Sequence, residues 1–161
     1  MRKIILHWTA GGHSPNAVDL KAYHFVISGK GEVVKGVFPV EANEAPKAGK
    51  YAAHCLNCNT GSIGVSLAAM AGATEYPFNV GKYPVTQAQV DSLVSFVASL
   101  CDKYGIPVTP ETVLSHAEVQ KNLGIAQKNK WDITYIPELG RTSAKTVGDF
   151  LRQKIKEKRK K

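Results

Sequence analysis

The chain has 161 residues, of which 43% are hydrophobic and 21% charged, and its formal net charge at neutral pH is +8. This length and composition predict one domain with a single core. No apolar run is long enough for a transmembrane helix, and the N-terminus lacks the apolar centre of a secretory signal, so we expect synthesis in the cytoplasm without a signal peptide. The excess of positive charge favours an anionic partner such as nucleic acid, a membrane surface or a cell-wall polymer.

The basic charge is concentrated at the C-terminus. Residues 141–161 contain nine basic and two acidic residues, a net charge of +7, which leaves +1 for the first 140 residues. Phe150 is the only aromatic residue after Tyr135, so the tail lacks the interleaved aromatics that stack on bases, and no nucleic-acid partner is expected. The tail is interpreted as a solvated cationic helix face or as a weak contact with anionic envelope lipid or lipopolysaccharide.

The first half of the chain predicts strands, one short helix and a long loop. A buried strand is expected where an apolar run ends at His7, and Ser14-Pro15 is typical of a helix start. A Gly-Lys-Gly turn joins two runs of β-branched and aromatic residues, which predicts a hairpin. In chain order these elements are a strand at 3–6, a helix at 16–22, hairpin strands at 23–28 and 32–37, a loop at 38–60 and a strand at 62–67.

The second half predicts two helices and a strand. A capping-box pattern at Thr86, apolar residues at helical spacing and a glycine at position 105 predict a helix that ends at Tyr104. It is followed by a short strand at 113–114, a polar, basic loop at 124–131 and a last helix at 146–158 with its apolar residues on one face and its cations on the other. The order of elements predicts a single α/β domain with a mixed central β-sheet flanked by helices.

The three cysteines do not predict a disulfide framework, because their number is odd and the chain is expected to be made in the cytoplasm. Cys55 and Cys58 have C-x-x-C spacing, which also occurs in zinc ribbons and redox pairs. No second C-x-x-C accompanies them, and no strand-to-helix context typical of a redox motif surrounds them. We therefore interpret the cysteines as structural or incidental.

The placement of the histidines favours a metal site more than their number does. His7 and His116 each follow a predicted strand, so their side chains can meet over one end of the sheet, and Asp132 follows a loop long enough to fold back. Two histidines and one carboxylate are a common catalytic zinc set. A zinc hydrolase also needs groups for the proton and for the oxyanion, and Tyr23 and Lys130 are the candidates. A half-buried strand tyrosine and an ordinary loop lysine are the alternatives for these two residues.

Six short segments occur together in the order and spacing of one enzyme family. They are Ile4-Ile-Leu-His7-Trp-Thr-Ala, Ala22-Tyr-His-Phe-Val-Ile27, Ala53-His54, Asn59-Thr-Gly-Ser-Ile-Gly-Val-Ser-Leu67, Leu114-Ser-His116 and Lys130-Trp-Asp132. Over about residues 3–135 the chain resembles the zinc-dependent N-acetylmuramoyl-L-alanine amidases, a family of phage lysozyme-like amidases, muropeptide amidases and peptidoglycan recognition proteins. The resemblance implies an amidase/peptidoglycan-recognition-like fold, a Zn2+ cofactor and peptidoglycan as the partner.

The resemblance also implies roles for individual residues. They are metal ligation for His7, His116 and Asp132, catalysis for Tyr23 and Lys130, substrate binding for His54, Asn59 and Thr9, and support behind the metal ligands for His24. Tyr23 would orient or deprotonate the water, and Lys130 would stabilise the oxyanion. Muropeptide-recycling relatives lack the tyrosine and carry a glutamate where this chain has Ser66, so the pattern is that of the lysozyme-like branch.

The leading hypothesis is a peptidoglycan hydrolase that cleaves the amide between N-acetylmuramic acid and the L-alanine of the stem peptide. We expect a monomeric phage or prophage endolysin that reaches the cell wall or periplasm after holin-type release. Residues 1–140 are interpreted as the zinc amidase catalytic domain, and residues 141–161 as a basic amphipathic helix and tail of the same domain. The alternatives are a non-catalytic peptidoglycan-binding or regulatory module and a cytosolic muropeptide-recycling amidase.

Overall fold

Five strands form one mixed sheet at the centre of the computed structural model, which describes residues 1–159. The strands are β1 (Lys3–Trp8), β2 (Phe25–Ile27), β3 (Val33–Lys35), β4 (Ser62–Leu67) and β5 (Val113–Ser115), in the spatial order β3-β2-β4-β1-β5. β1 pairs in parallel with β4 and β5, β2 pairs in parallel with β4, and β3 pairs antiparallel with β2. The mixed sheet and the hairpin are confirmed.

Helices connect and cover these strands. They are α1 (Ala17–Ala22), α2 (Gln87–Tyr104), α3 (His116–Leu123) and α4 (Ala144–Arg159), with a 3-10 helix at Val40–Asn43 and a small two-stranded sheet of β6 (Tyr135–Ile136) and β7 (Gly140–Arg141). α2 packs against α4 and β2, and α4 also contacts α3 and β5. Among the described residues, no helix has the length and apolar character needed to cross a membrane.

The two faces of β1 lead to different parts of the molecule because side chains alternate along a strand. Ile4 and Leu6 belong to the main core, together with buried residues of α2 and α4. Ile5 belongs to a smaller cluster with Leu114 and Val119 and with the buried cysteines at positions 55 and 58. His7 has the same parity as Ile5, so its side chain is directed to the face of the smaller cluster.

The ends of α1 and α2 show how local side chains fix helix boundaries. α2 begins after Thr86 and ends at Gly105, whose φ of 63° satisfies the left-handed helix end, as predicted. α1 begins later than predicted, because its N-cap is Asn16 and not Ser14. Asn16 and Asp19 accept hydrogen bonds from each other's backbone N–H, which satisfies two donors that the Ser14-Pro15 pair would leave open.

α3 was not expected from the sequence and α4 differs from its expected pattern. α3 buries few apolar side chains, but Ser115 and Glu118 form a capping box and Gly124 ends the helix at φ 71°. In α4, the cations were expected on the outer face, and this is wrong for Arg152, which is 4% exposed because its guanidinium is bound by Glu118. Lys160 and Lys161 of the basic tail lie outside the described residues.

Candidate active site

His7 and His116 lie at the carboxyl ends of neighbouring parallel strands. His7 is in β1, and His116 follows β5 directly as the first residue of α3. Their Nδ1 atoms are 3.1 Å apart. Asp132 Oδ2 lies 3.4 Å from the Nδ1 of His7 and 3.5 Å from that of His116. Sheet topology therefore brings together three buried groups that could hold a metal ion.

A chain of hydrogen bonds fixes which nitrogen of His7 faces this cluster. The Nε2 of His54 lies 3.4 Å from the carbonyl oxygen of Ser62, which can only accept, so this Nε2 carries the proton. The Nδ1 of His54 then accepts from the Nε2–H of His7 at 3.0 Å. His7 consequently presents the unprotonated Nδ1 to His116 and Asp132.

His116 is oriented in the same way by a different residue. Its Nε2 lies 2.7 Å from Oε1 of the buried Gln127, an acceptor, so the Nε2–H donates and Nδ1 keeps its lone pair. Gln127 was missed in the sequence, where a lone glutamine in a polar loop gives no signal.

Three acceptor atoms therefore face one another without a protein proton between them, and such groups repel unless a cation joins them. A tetrahedral zinc ion with bonds of about 2.0–2.2 Å needs ligand atoms roughly 3.3–3.6 Å apart, close to the observed separations. Burial lowers the pKa of His7 to about 4, so its imidazole is neutral at neutral pH. Oδ2 of Asp132 also accepts a hydrogen bond from the backbone N–H of Trp8 at 3.3 Å, which favours the carboxylate form. Two imidazole Nδ1 atoms and a carboxylate oxygen are a fitting donor set for zinc.

An open groove of about 990 Å³ lies over this cluster. Most of the residues singled out in the sequence line it, namely Thr9, Tyr23, His54, Asn59, His116, Lys130 and Asp132. The groove is also lined by residues without a sequence signal, among them Pro46, Tyr51, Asn57 and Gln127, and by Trp131. The 38–60 loop, expected to be long and partly ordered, contributes much of this wall.

Most of the chain matches one known protein family. A family described as N-acetylmuramoyl-L-alanine amidase matches residues 1–134. The chain belongs to this amidase family. A search of curated proteins found no significant match.

Solved structures share the amidase fold at low sequence identity. A point mutant of PlyL is 19% identical with a TM-score of 0.55, and the match covers 96% of this chain and 84% of that one. The PlyG catalytic domain is 18% identical with a TM-score of 0.55, covering 99% and 84%. AmiD from E. coli, solved with anhydro-N-acetylmuramic acid-L-Ala-D-gamma-Glu-L-Lys as its substrate, is 19% identical with a TM-score of 0.51. That match covers 73% of this chain but only 48% of AmiD, so the chain spans about half of that protein's length.

In the amidase, Tyr23 and Lys130 flank the candidate metal site of His7, His116 and Asp132, the metal-binding cluster, in different ways. The ring of Tyr23 lies 5.0 Å from that of His7, between centroids, and burial together with the charge of Asp132 raises the pKa of Tyr23 to about 12. The phenol is therefore an O–H donor at neutral pH, which favours orientation of a water over deprotonation. Lys130 is exposed at the edge of the groove, two residues before Asp132.

The residues expected to bind substrate or to support the site hold the loops of the amidase in place. Thr9 Oγ1 accepts hydrogen bonds from the backbone N–H groups of residues 11 and 69, and Asn59 Oδ1 accepts from those of residues 54 and 55. His54 is buried against His7 and close to Gly64, where an added Cβ would lie 2.6 Å from its ring. His24 accepts from the backbone N–H of Gly64 through Nδ1 and donates to the side chain of residue 43, and its ring lies 5.8 Å from that of His54, between centroids.

Two of the three cysteines form a local covalent link. Cys55 and Cys58 form a disulfide with a Cα–Cα distance of 5.2 Å. This bond closes a local turn, in which the N–H of Cys58 donates to the carbonyl of Cys55, and it does not build a framework, in keeping with a structural role. Cys101 is the free cysteine among the described residues and is buried in the main core.

Proposed function

We propose that the chain is a zinc-dependent amidase that cleaves the bond between N-acetylmuramic acid and the L-alanine of the peptidoglycan stem peptide. The convergence of three buried acceptor atoms from His7, His116 and Asp132 beneath an open groove carries this proposal. His7, His116 and Asp132 would hold a zinc ion through three protein ligands, a number typical of catalytic and not of structural zinc sites. Family membership supports the choice of bond.

The side chains around the cluster have the properties that amide hydrolysis requires. Bound zinc would polarise the amide carbonyl and lower the pKa of a water towards about 7. Lys130 presents an ammonium group at the groove, where it can stabilise negative charge that develops on the amide oxygen. The protonated phenol of Tyr23 can orient the attacking water by a hydrogen bond. His54 keeps His7 in the tautomer that presents Nδ1.

The groove has the size and lining for a muramoyl peptide. Small-molecule sites have volumes of about 300–1,000 Å³, and the groove is at the upper end of that range. Trp131 and Tyr51 supply aromatic surface, and Asn57 supplies polar groups, along a wall several residues long. These side chains are suited to a sugar with an attached peptide.

Digestion of purified sacculi tests this activity. We expect zinc-loaded protein to release stem peptides that begin with L-alanine, and we expect a chelator or the substitution His116→Ala to abolish this release. His13→Ala is the matched control, because His13 bonds to the carbonyl of Pro84 away from the groove, and it should retain activity. Chelator-insensitive digestion, or full activity of His116→Ala, would contradict the proposal.

We further propose that the amidase acts as a phage or prophage endolysin after holin-type release. Tyr23 beside the cluster, with Ser66 in place of a glutamate, supports the lysozyme-like branch. The exposed Lys156 and Lys158, which make no ion pair within residues 1–159, support a weak contact with anionic envelope surfaces. Muropeptide-recycling relatives lack the tyrosine and carry the glutamate, and an enzyme that acts on soluble muropeptides needs no contact with an envelope surface.

Expression in a Gram-negative host with and without a holin separates the alternatives. An endolysin lyses the cells only when the holin is present, and the His116→Ala variant does not lyse them. Faster turnover of soluble muropeptides than of sacculi, without lysis, would instead assign the chain to recycling. Binding to sacculi without release of peptides would identify a non-catalytic module.

A further inference from the structure

Gln127 lies behind the metal-binding cluster at the junction of two segments. It is 3% exposed, and its backbone N–H donates to Oε1 of Gln120 at 3.1 Å, which ties it to α3. Its side-chain Oε1 lies 2.7 Å from Nε2 of His116, at the start of the same helix. Both partners of the contact between Gln127 and His116 are therefore anchored to α3.

The other end of the Gln127 side chain is held by the turn that the Cys55–Cys58 disulfide closes. The side-chain Nε2 donates to the carbonyl oxygen of Leu56 at 2.7 Å and lies 3.8 Å from Sγ of Cys58. Because a carbonyl can only accept, the nitrogen of the Gln127 amide must face Leu56, and the oxygen must face His116. The turn therefore decides which atom of the amide meets the imidazole.

We propose that Gln127 is a positioning residue that holds His116 in the tautomer with a free Nδ1 and thereby sets metal affinity. The inference rests on the proposed function for the identity of the metal as zinc. His54, which directly precedes the cysteine turn, does the same for His7. One segment, residues 54–58, thus supports both imidazoles, directly for one and through Gln127 for the other. Loss of such a partner of a metal-bound histidine typically weakens metal affinity about 10–100-fold.

The zinc dissociation constant, measured by competition with a chromogenic chelator, tests this role. We expect Gln127→Leu to weaken zinc binding about 10–100-fold. Gln127→Glu keeps an acceptor for His116 but loses the donor to the carbonyl of Leu56, so its zinc affinity should lie between those of the parent and Gln127→Leu. Gln89→Leu is the matched control, since Gln89 is a fully buried glutamine of α2 that donates to the carbonyls of residues 27 and 68 and does not line the groove. It should lower thermal stability and leave the zinc affinity unchanged.

Nitrogen NMR of the imidazoles in metal-free protein gives a readout that folding stability alone does not move. We expect His116 to be protonated at Nε2 in the parent and to become a mixture of tautomers in Gln127→Leu. Unchanged zinc affinity together with an unchanged tautomer in Gln127→Leu would overturn the inference.

Neither measurement uses peptidoglycan, so the two proposals can fail separately. A parent that cleaves no peptidoglycan, while Gln127→Leu loses zinc affinity, would refute the proposed function and support the role of Gln127. A parent that cleaves peptidoglycan, while Gln127→Leu has the parent's zinc affinity and His116 tautomer, would support the proposed function and refute the role of Gln127. A parent that binds no zinc would refute both the proposed zinc chemistry and the role of Gln127 in zinc affinity.

Discussion

Two buried polar clusters lie within one turn of each other at the start of α3, and they are built in opposite ways. The metal-binding cluster presents three acceptors, from His7, His116 and Asp132. The ion-pair cluster joins donors to acceptors, since Arg152 bonds Glu118 through both terminal nitrogens, at 3.1 and 2.8 Å, and Asp149 at 2.8 Å. Arg152 also donates to the carbonyl of Val113 at 3.1 Å.

The difference separates groups that stabilise the fold from groups that need a ligand. In the ion-pair cluster, the protein itself supplies a partner for each charged group. Glu118 also accepts from the N–H of Ser115, so this glutamate fixes the start of α3 and thereby the position of His116. The metal-binding cluster is a set of mutually repelling acceptors whose burial costs free energy until a cation binds. Changes in the first cluster should therefore affect stability, and changes in the second should affect metal binding and catalysis.

The largest expected effect is the loss of activity in His7→Ala. This substitution removes one of three ligands, so zinc binding and peptidoglycan cleavage should fall to the detection limit. The metal-free variant should remain folded, although it should lose some unfolding free energy because the substitution opens a cavity and leaves the Nδ1 of His54 without a donor. His13→Ala should match the parent in zinc content and in sacculus digestion. A folded His7→Ala protein that still digests sacculi would show that the cluster is not the catalytic centre.

Arg152→Ala should lower the stability of the fold and leave zinc binding unchanged. Removal of one partner from a buried ion pair costs about 3–5 kcal/mol of unfolding free energy, because Glu118 is left charged and buried. The remaining folded protein should bind zinc with the parent's affinity. Urea denaturation, with exposed Lys156→Ala as the control, measures the first effect, and chelator competition measures the second. Loss of zinc affinity without loss of stability would erase the distinction between the two clusters.

The sequence predicted the parts of this arrangement that depend on strand ends and helix caps. Parallel strands end at one edge of a sheet, so His7 and His116 were expected to meet, and their Nδ1 atoms are 3.1 Å apart. The capping box at Thr86 located the longest helix. Asp132 was placed by the resemblance to the amidases and by the length of the loop before it.

The parts that were missed depend on contacts between distant segments. Helical periodicity assigns a lysine or arginine to the solvent face, but the partner of Arg152 is Glu118, which lies 34 residues earlier. Gln127 meets the carbonyl of Leu56, 71 residues away, and no local pattern marks it. α3 escaped notice because an apolar stripe is almost absent from it, although its capping box and Gly124 were readable signals.

Zinc should stabilise the parent only through the metal-binding cluster. At free zinc concentrations of 100 to 1,000 times the dissociation constant, linkage predicts a gain of about 3–4 kcal/mol in unfolding free energy. The gain should appear as a rise in the melting temperature of Arg152→Ala as well, since that variant keeps the ligands. His7→Ala should show no rise. Equal stabilisation of His7→Ala would indicate that zinc binds elsewhere.

A smaller effect is expected from pH in the metal-free parent. The pKa of His7 is about 4 in the folded protein and about 6.5 when unfolded, so the unfolded chain takes up the proton first as the pH falls. Stability should therefore drop between about pH 6.5 and 4, and His7 alone should contribute about 2 kcal/mol of loss between pH 7.5 and 5. The lowered pKa values of His54 and His24 act in the same direction. His7→Ala should show a shallower decline in urea midpoint, and an equally steep one would contradict the assignment.

Mass spectrometry of sacculi digested by zinc-loaded protein identifies the bond that is cleaved. We expect soluble stem peptides with a free L-alanine amino group and glycan strands that keep their lactyl groups, and we expect neither product with His116→Ala. Products cut at a glycosidic bond or within the stem peptide, or the same products from His116→Ala, would contradict the proposed function.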